Sequence, residues 1–174
     1  MRKLLLLLLL ICSCSLQTPC RRADDLFISV TLVRGERSRD SNSKTTTITL
    51  EGNAIIYVQT RHGAGAGRLK PIRKEFKLSG EDKKRLVGLI DERNLLVTDG
   101  VEYPAAESGI RHYFEISVRL LSNGKKGAIT IKGPTNAVAV KEEKLYKAAT
   151  ALIEELYRII NLTDKQITYE ELLN

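Results

Sequence analysis

Apolar residues recur at every second position over several stretches of this chain, the mark of strands with one face in a core. Leu26, Ile28, Val30 and Leu32 alternate with Phe27, Ser29, Thr31 and Val33. The β-branched runs 45–50 and 54–60 flank Glu51-Gly52-Asn53. A Gly-Asn pair between two such runs predicts a tight hairpin, because glycine supplies the positive φ of a primed turn. A shorter strand over 74–78 sets Phe76 and Leu78 against Glu75 and Lys77. Phe114, Ile116, Val118 and Leu120 then alternate with Tyr113, Glu115, Ser117 and Arg119. Asn123-Gly124 is the strongest short-range hairpin signal, and Ile129 and Ile131 follow on the returning strand. The polar stretch 34–44 reads as a solvated loop.

Two stretches change to helical spacing. Ser79 can cap the first free amides of a helix, Asp82 occupies the capping-box position, and Glu81 and Asp82 face the positive end of the helix dipole. This helix should run to about Arg93 and bury Leu86, Leu89 and Ile90, with Asn94 ending it and Leu95 and Leu96 returning to the core. A longer helix from about Lys141 carries Leu145, Ala149, Leu152, Leu156 and Ile159 as one apolar stripe, with Lys144, Lys147, Glu154 and Glu155 opposite. Thr168-Tyr169-Glu170-Glu171 fits a capping box, so the tail 163–174 reads as a short extra helix. Locally paired strands with helices inserted after them predict an α+β domain over 21–162. Its expected architecture is a mainly antiparallel sheet of five or six strands with two helices packed on one face and the other face partly wet.

The first twenty residues follow a different pattern. Met1-Arg2-Lys3 precedes an unbroken apolar run from Leu4 to Ile11, too short for a spanning helix, which needs about 20 residues. It reads as the apolar region of a signal peptide over 1–20. All three cysteines, Cys12, Cys14 and Cys20, lie in this segment, so no disulfide staples the domain that follows. Ile11-Cys12-Ser13-Cys14 resembles a bacterial lipobox, with Ser13 small and Ile11 aliphatic before Cys14; Cys12 departs from the usual pattern. The resemblance implies a lipid on Cys14 and a membrane anchor, with simple secretion as the alternative.

Composition narrows the chemistry. The chain has 174 residues, two His and no Trp, which argues against most zinc, haem and iron–sulfur sites. The acidic residues show no calcium-loop spacing, and neither a metal nor a cofactor is expected. Without Arg2 and Lys3 the chain keeps 26 basic and 21 acidic residues, a net charge of +5. The basic residues are scattered and aromatics make up only 5%, so no nucleic-acid partner is expected.

Three places could carry chemistry. Arg61-His62-Gly63-Ala64-Gly65-Ala66-Gly67-Arg68 follows a strand, and clustered glycine amides with flanking arginines can hold an anion. A nucleotide-type phosphate loop opens onto a helix; here Leu69-Lys70-Pro71 and another strand follow. The plainer reading is a connection in which Gly and Ala impose no fixed conformation. Ser108 and His112, with Asp99, Glu102 and Glu107 close in sequence, invite a hydrolase triad, yet no nucleophile elbow is present. Asn161-Leu162-Thr163 is a glycosylation sequon, and Lys83-Lys84-Arg85 reads as a solvated helix face.

Phe76-Lys77-Leu78-Ser79-Gly80-Glu81-Asp82 leading into a helix, then Tyr113-Phe114-Glu115-Ile116 opening a hairpin, resembles small exported bacterial domains, including emfourin-type inhibitors of thermolysin-like metalloproteases. The resemblance covers about a third of the chain, lacks that family's glycine-rich amino-terminal segment and carries over no inhibitory residue. The sequence thus reads as a non-catalytic exported domain that binds a macromolecule, most simply a protein, in the cell envelope. The alternatives are a small hydrolase using His112 with Ser108 or nearby carboxylates, and an anion-binding module at the Gly63–Gly67 loop.

Overall fold

The computed structural model describes residues 26–36, 43–63, 70–102, 112–134, 143–167 and 169. Strands β1 (Phe27–Glu36), β2 (Ser43–Glu51), β3 (Ala54–His62) and β4 (Ile72–Lys77) are followed by helix α1 (Gly80–Glu92). Strands β5 (Thr98–Glu102), β6 (His112–Ser122) and β7 (Lys125–Pro134) precede helix α2 (Lys144–Thr163). The seven strands form one sheet in the order β4-β3-β2-β1-β6-β7-β5.

The fold is α+β with two helices, as the periodicities imply, but the expectation of five or six strands is corrected to seven. The sheet is mixed, because β5 pairs parallel to β7 while every other pair is antiparallel. The additional strand is β5, Thr-Asp-Gly-Val-Glu, which has one apolar side chain and three residues of low strand propensity, Asp99, Gly100 and Glu102. As an edge strand it is held by backbone pairing and shows no alternation to read. The expected loop over 34–44 is also shorter: β1 pairs with β2 as far as Gly35 and with β6 as far as Glu36. Helix α2 starts at Lys144, three residues later than expected.

Alternation supplies the core. Ile28, Val30, Leu32, Ile48, Leu50, Ile55, Phe76, Ile116, Val118, Ile129 and Ile131 are buried on one face of the sheet, in one cluster with Leu86 and Ile90 of α1 and Leu152, Leu156 and Ile160 of α2. Leu89 and Leu145 are only half-buried. T-shaped ring pairs at 6.3 Å, Phe114 with Tyr146 and Tyr57 with Tyr157, seat α2 on that face. On the opposite face Thr31, Thr47, Ser117 and Thr130 form a half-buried row.

Local chemistry fixes the turns. Gly52 has φ +62°, while Asn123 and Gly124 have φ +52° and +75°, as primed two-residue turns require. Ser79 Oγ accepts from the Asp82 amide at 3.0 Å and donates to Asp82 Oδ2 at 2.6 Å. Arg158 joins the helices by donating to Asp82 Oδ1 at 2.6 Å and to both Glu155 oxygens at 2.8 Å. The Ser79 hydroxyl and then Arg158 hold the Asp82 carboxyl below its ordinary value. A depressed carboxylate stabilises the fold above its unfolded value of about 3.9 and loses that contribution as pH falls through the lower folded value. Asp82→Asn is therefore expected to flatten the acid limb of a stability–pH curve below about pH 4, read by urea midpoints; an unchanged acid limb would contradict the contact.

Candidate functional site

The strands have two unlike ends. The connections β2–β3 and β6–β7 are two-residue turns at the end where the chain enters β1 at Leu26. The long connections after β1, β3, β5 and β7 all leave the sheet at the other end. Seven strand positions separate Phe27 from Arg34, about 24 Å at the usual strand rise.

Along the core face, side chains change from apolar to polar to cationic toward this loop end. On β2 the order is Leu50, Ile48, Thr46, Lys44; on β3 it is Ile55, Tyr57, Gln59, Arg61; on β1 it is Ile28, Val30, Leu32, Arg34. The register brings Arg34, Lys44 and Arg61 into one row across three strands. A recess of about 210 Å³ opens there, lined by Lys44, Tyr57, Gln59, Arg61, Ile72, Lys74, Gln166 and Ile167.

Its floor is buried and polar. Gln59, 8% exposed, donates from Nε2 to the Tyr57 hydroxyl at 2.7 Å. Burial, and then Tyr57 beside it, raise the Tyr157 phenol well above its ordinary value against an opposing hydrogen bond from Thr46, so this hydroxyl stays protonated. One wall is Lys74, which pairs with Asp164 where α2 ends. Lys74, and then the Gln166 amide, hold the Asp164 carboxyl below its ordinary value. A shallower depression between α1 and α2 has Gly88, Leu89 and Ala151 among its lining, with Arg85 and Arg158 paired to Glu81, Glu155 and Asp82 beside it.

The structure divides the residues that sequence singles out. Arg61 and His62 are consecutive, so strand alternation points Arg61 into the recess and His62 to the opposite face. Gly63 follows β3 and is exposed; Gly65, Gly67 and Arg68 lie outside the described residues, as do Cys14 and Ser108. His112 opens β6 opposite Glu36. Asp99 pairs through Ile129 to Val118, which puts it about 20 Å along the strands from His112. Glu102 pairs through Lys132 to Glu115, about 10 Å along and two strands across. Neither Asp99 nor Glu102 therefore lies beside His112. Among the described residues no group of His, Cys, Asp and Glu could hold a metal ion, and no helix is long and apolar enough to cross a membrane. Lys44, Lys74 and Gln166 carried no signal in the sequence, because only the register and the end of α2 bring them to Arg61.

No protein-family model matches the chain, and no curated protein matches it.

Proposed function

We propose that the chain is an exported, membrane-tethered, non-catalytic domain that binds a protein partner in the cell envelope through the loop end of its sheet. One observation carries this reading: β1, β3, β5 and β7 all end on the side of the sheet where the basic recess opens, opposite Leu26 where the chain enters β1. The leucine-rich leader and Cys14 support export and anchoring. The separations of Asp99 and Glu102 from His112 weigh against a triad built on those two carboxylates. Inhibition of a thermolysin-like metalloprotease is one version of the reading, supported by the order of strand, capped helix and hairpin; unchanged protease rates at micromolar chain would remove it.

Two measurements test the proposal. Mass spectrometry of the mature amino terminus should find a diacylglyceryl group on Cys14; an unmodified terminus elsewhere would refute the tether. The partner claim is tested by charge reversal at opposite ends. Lys44→Glu with Arg61→Glu should abolish retention of an envelope protein on the immobilised chain. Lys125→Glu with Lys126→Glu makes the same charge change at the turn end and should not. Equal losses from the two pairs would reduce the effect to net charge and overturn the proposal.

A further inference from the structure

We infer that the recess at the loop end is a binding site for a phosphate group, free or as a terminal monoester. The inference rests on the loop end being the working surface and names the chemistry recognised there. Three cationic side chains reach the recess from three adjacent strands, Lys44 on β2, Arg61 on β3 and Lys74 on β4. Cations arriving from separate strands suit a tetrahedral anion with an oxygen on every side better than a planar carboxylate with two. The guanidinium of Arg61 can engage two such oxygens at once. Gln59 donates one side-chain N–H to Tyr57 and has a second to offer at the floor. Ile72 and Ile167 complete the walls. Among the described residues Asp164 is a carboxylate that opposes an anion, because it holds Lys74.

That opposition gives the site a signature. Asp164→Asn keeps an acceptor for the Gln166 amide, which now donates to Asp164 Oδ1 at 3.0 Å, while releasing Lys74 from its ion pair. Titration of the purified chain with inorganic phosphate, followed by calorimetry, should show saturable binding. Arg61→Ala should weaken it about tenfold or more, the loss of one charge-assisted contact. Asp164→Asn should tighten it, and Glu92→Gln, an equal charge change on α1, should leave it unchanged. Glycerol 3-phosphate binding like phosphate would show recognition of the terminal group alone; tighter binding would show that the carried group is also held. Absence of saturable binding by both, equal affinity for acetate, or equal effects of Asp164→Asn and Glu92→Gln would overturn the inference. Failure here with end-dependent partner retention intact would leave the working end standing. Phosphate binding without that retention would sink the partner reading alone.

Discussion

Phe114→Ala is expected to lower the stability of the domain by about 3–5 kcal/mol, the usual cost of emptying an aromatic core position. Phe114 is fully buried, and its ring meets Tyr146 at 6.3 Å. It lies in the row that pairs with Arg34 on β1 and Gly133 on β7, where α2 first touches the sheet. Alanine would leave a cavity under that first turn, and Tyr146 would lose this ring contact. Since domains have only about 5–15 kcal/mol in total, the variant should unfold at a much lower urea concentration. A loss below about 1 kcal/mol, well outside the aromatic-to-alanine range, would mean that this row is not packed as described.

Gly127→Val is the second large effect. The backbone of Leu95–Val97 crosses directly over Gly127. A Cβ there would stand 2.6 Å from the Leu95 carbonyl oxygen and 3.0 Å from Leu96 Cα. Both obstacles are main chain, so no rotamer relieves them, and the crossing segment must move. It is tied to β7 by Ala128 N–H donating to the Val97 carbonyl at 2.7 Å, and it feeds β5. Overpacking of this kind costs about 1–3 kcal/mol, and the parallel pairing of β5 should suffer first. Hydrogen exchange should therefore rise across Thr98–Glu102 before the rest of the sheet responds. Gly88→Ala is the matched control, because nothing lies within 4 Å of a Cβ added there; it should stabilise α1 by about 0.5–1 kcal/mol. Undisturbed exchange in β5 of the valine variant would contradict the close crossing.

Much of this architecture is legible in the sequence. Alternation in β1, β4 and β6 identified the buried face residue by residue, and Gly52-Asn53 and Asn123-Gly124 located both tight turns. Ser79 and Asn94 bracketed α1, with Asn94 adopting a φ of +52° where the helix stops. What escaped was held by backbone or by distance. Strand β5 contributes Val101 and otherwise only Thr, Asp, Gly and Glu, so pairing to β7 alone reveals it. The recess escaped for another reason. Lys44, Gln59, Arg61, Lys74 and Gln166 come from separate parts of the chain, and each alone is an ordinary polar residue. The apolar-to-cationic gradient is visible along β2 and β3 separately, but the register must align the two strands before it becomes a wall. Sequence grouping also joined Arg61 to His62, although adjacent residues of a strand face opposite ways.

The central claim is that the chain works at the end of its sheet opposite Leu26. Photo-crosslinking in intact cells tests it most directly, with the reactive side chain introduced at His62 and, in a separate variant, at Asn123. The account predicts a discrete, reproducible adduct from position 62 and none from position 123. An adduct formed only at position 123, or equally from both, would contradict it.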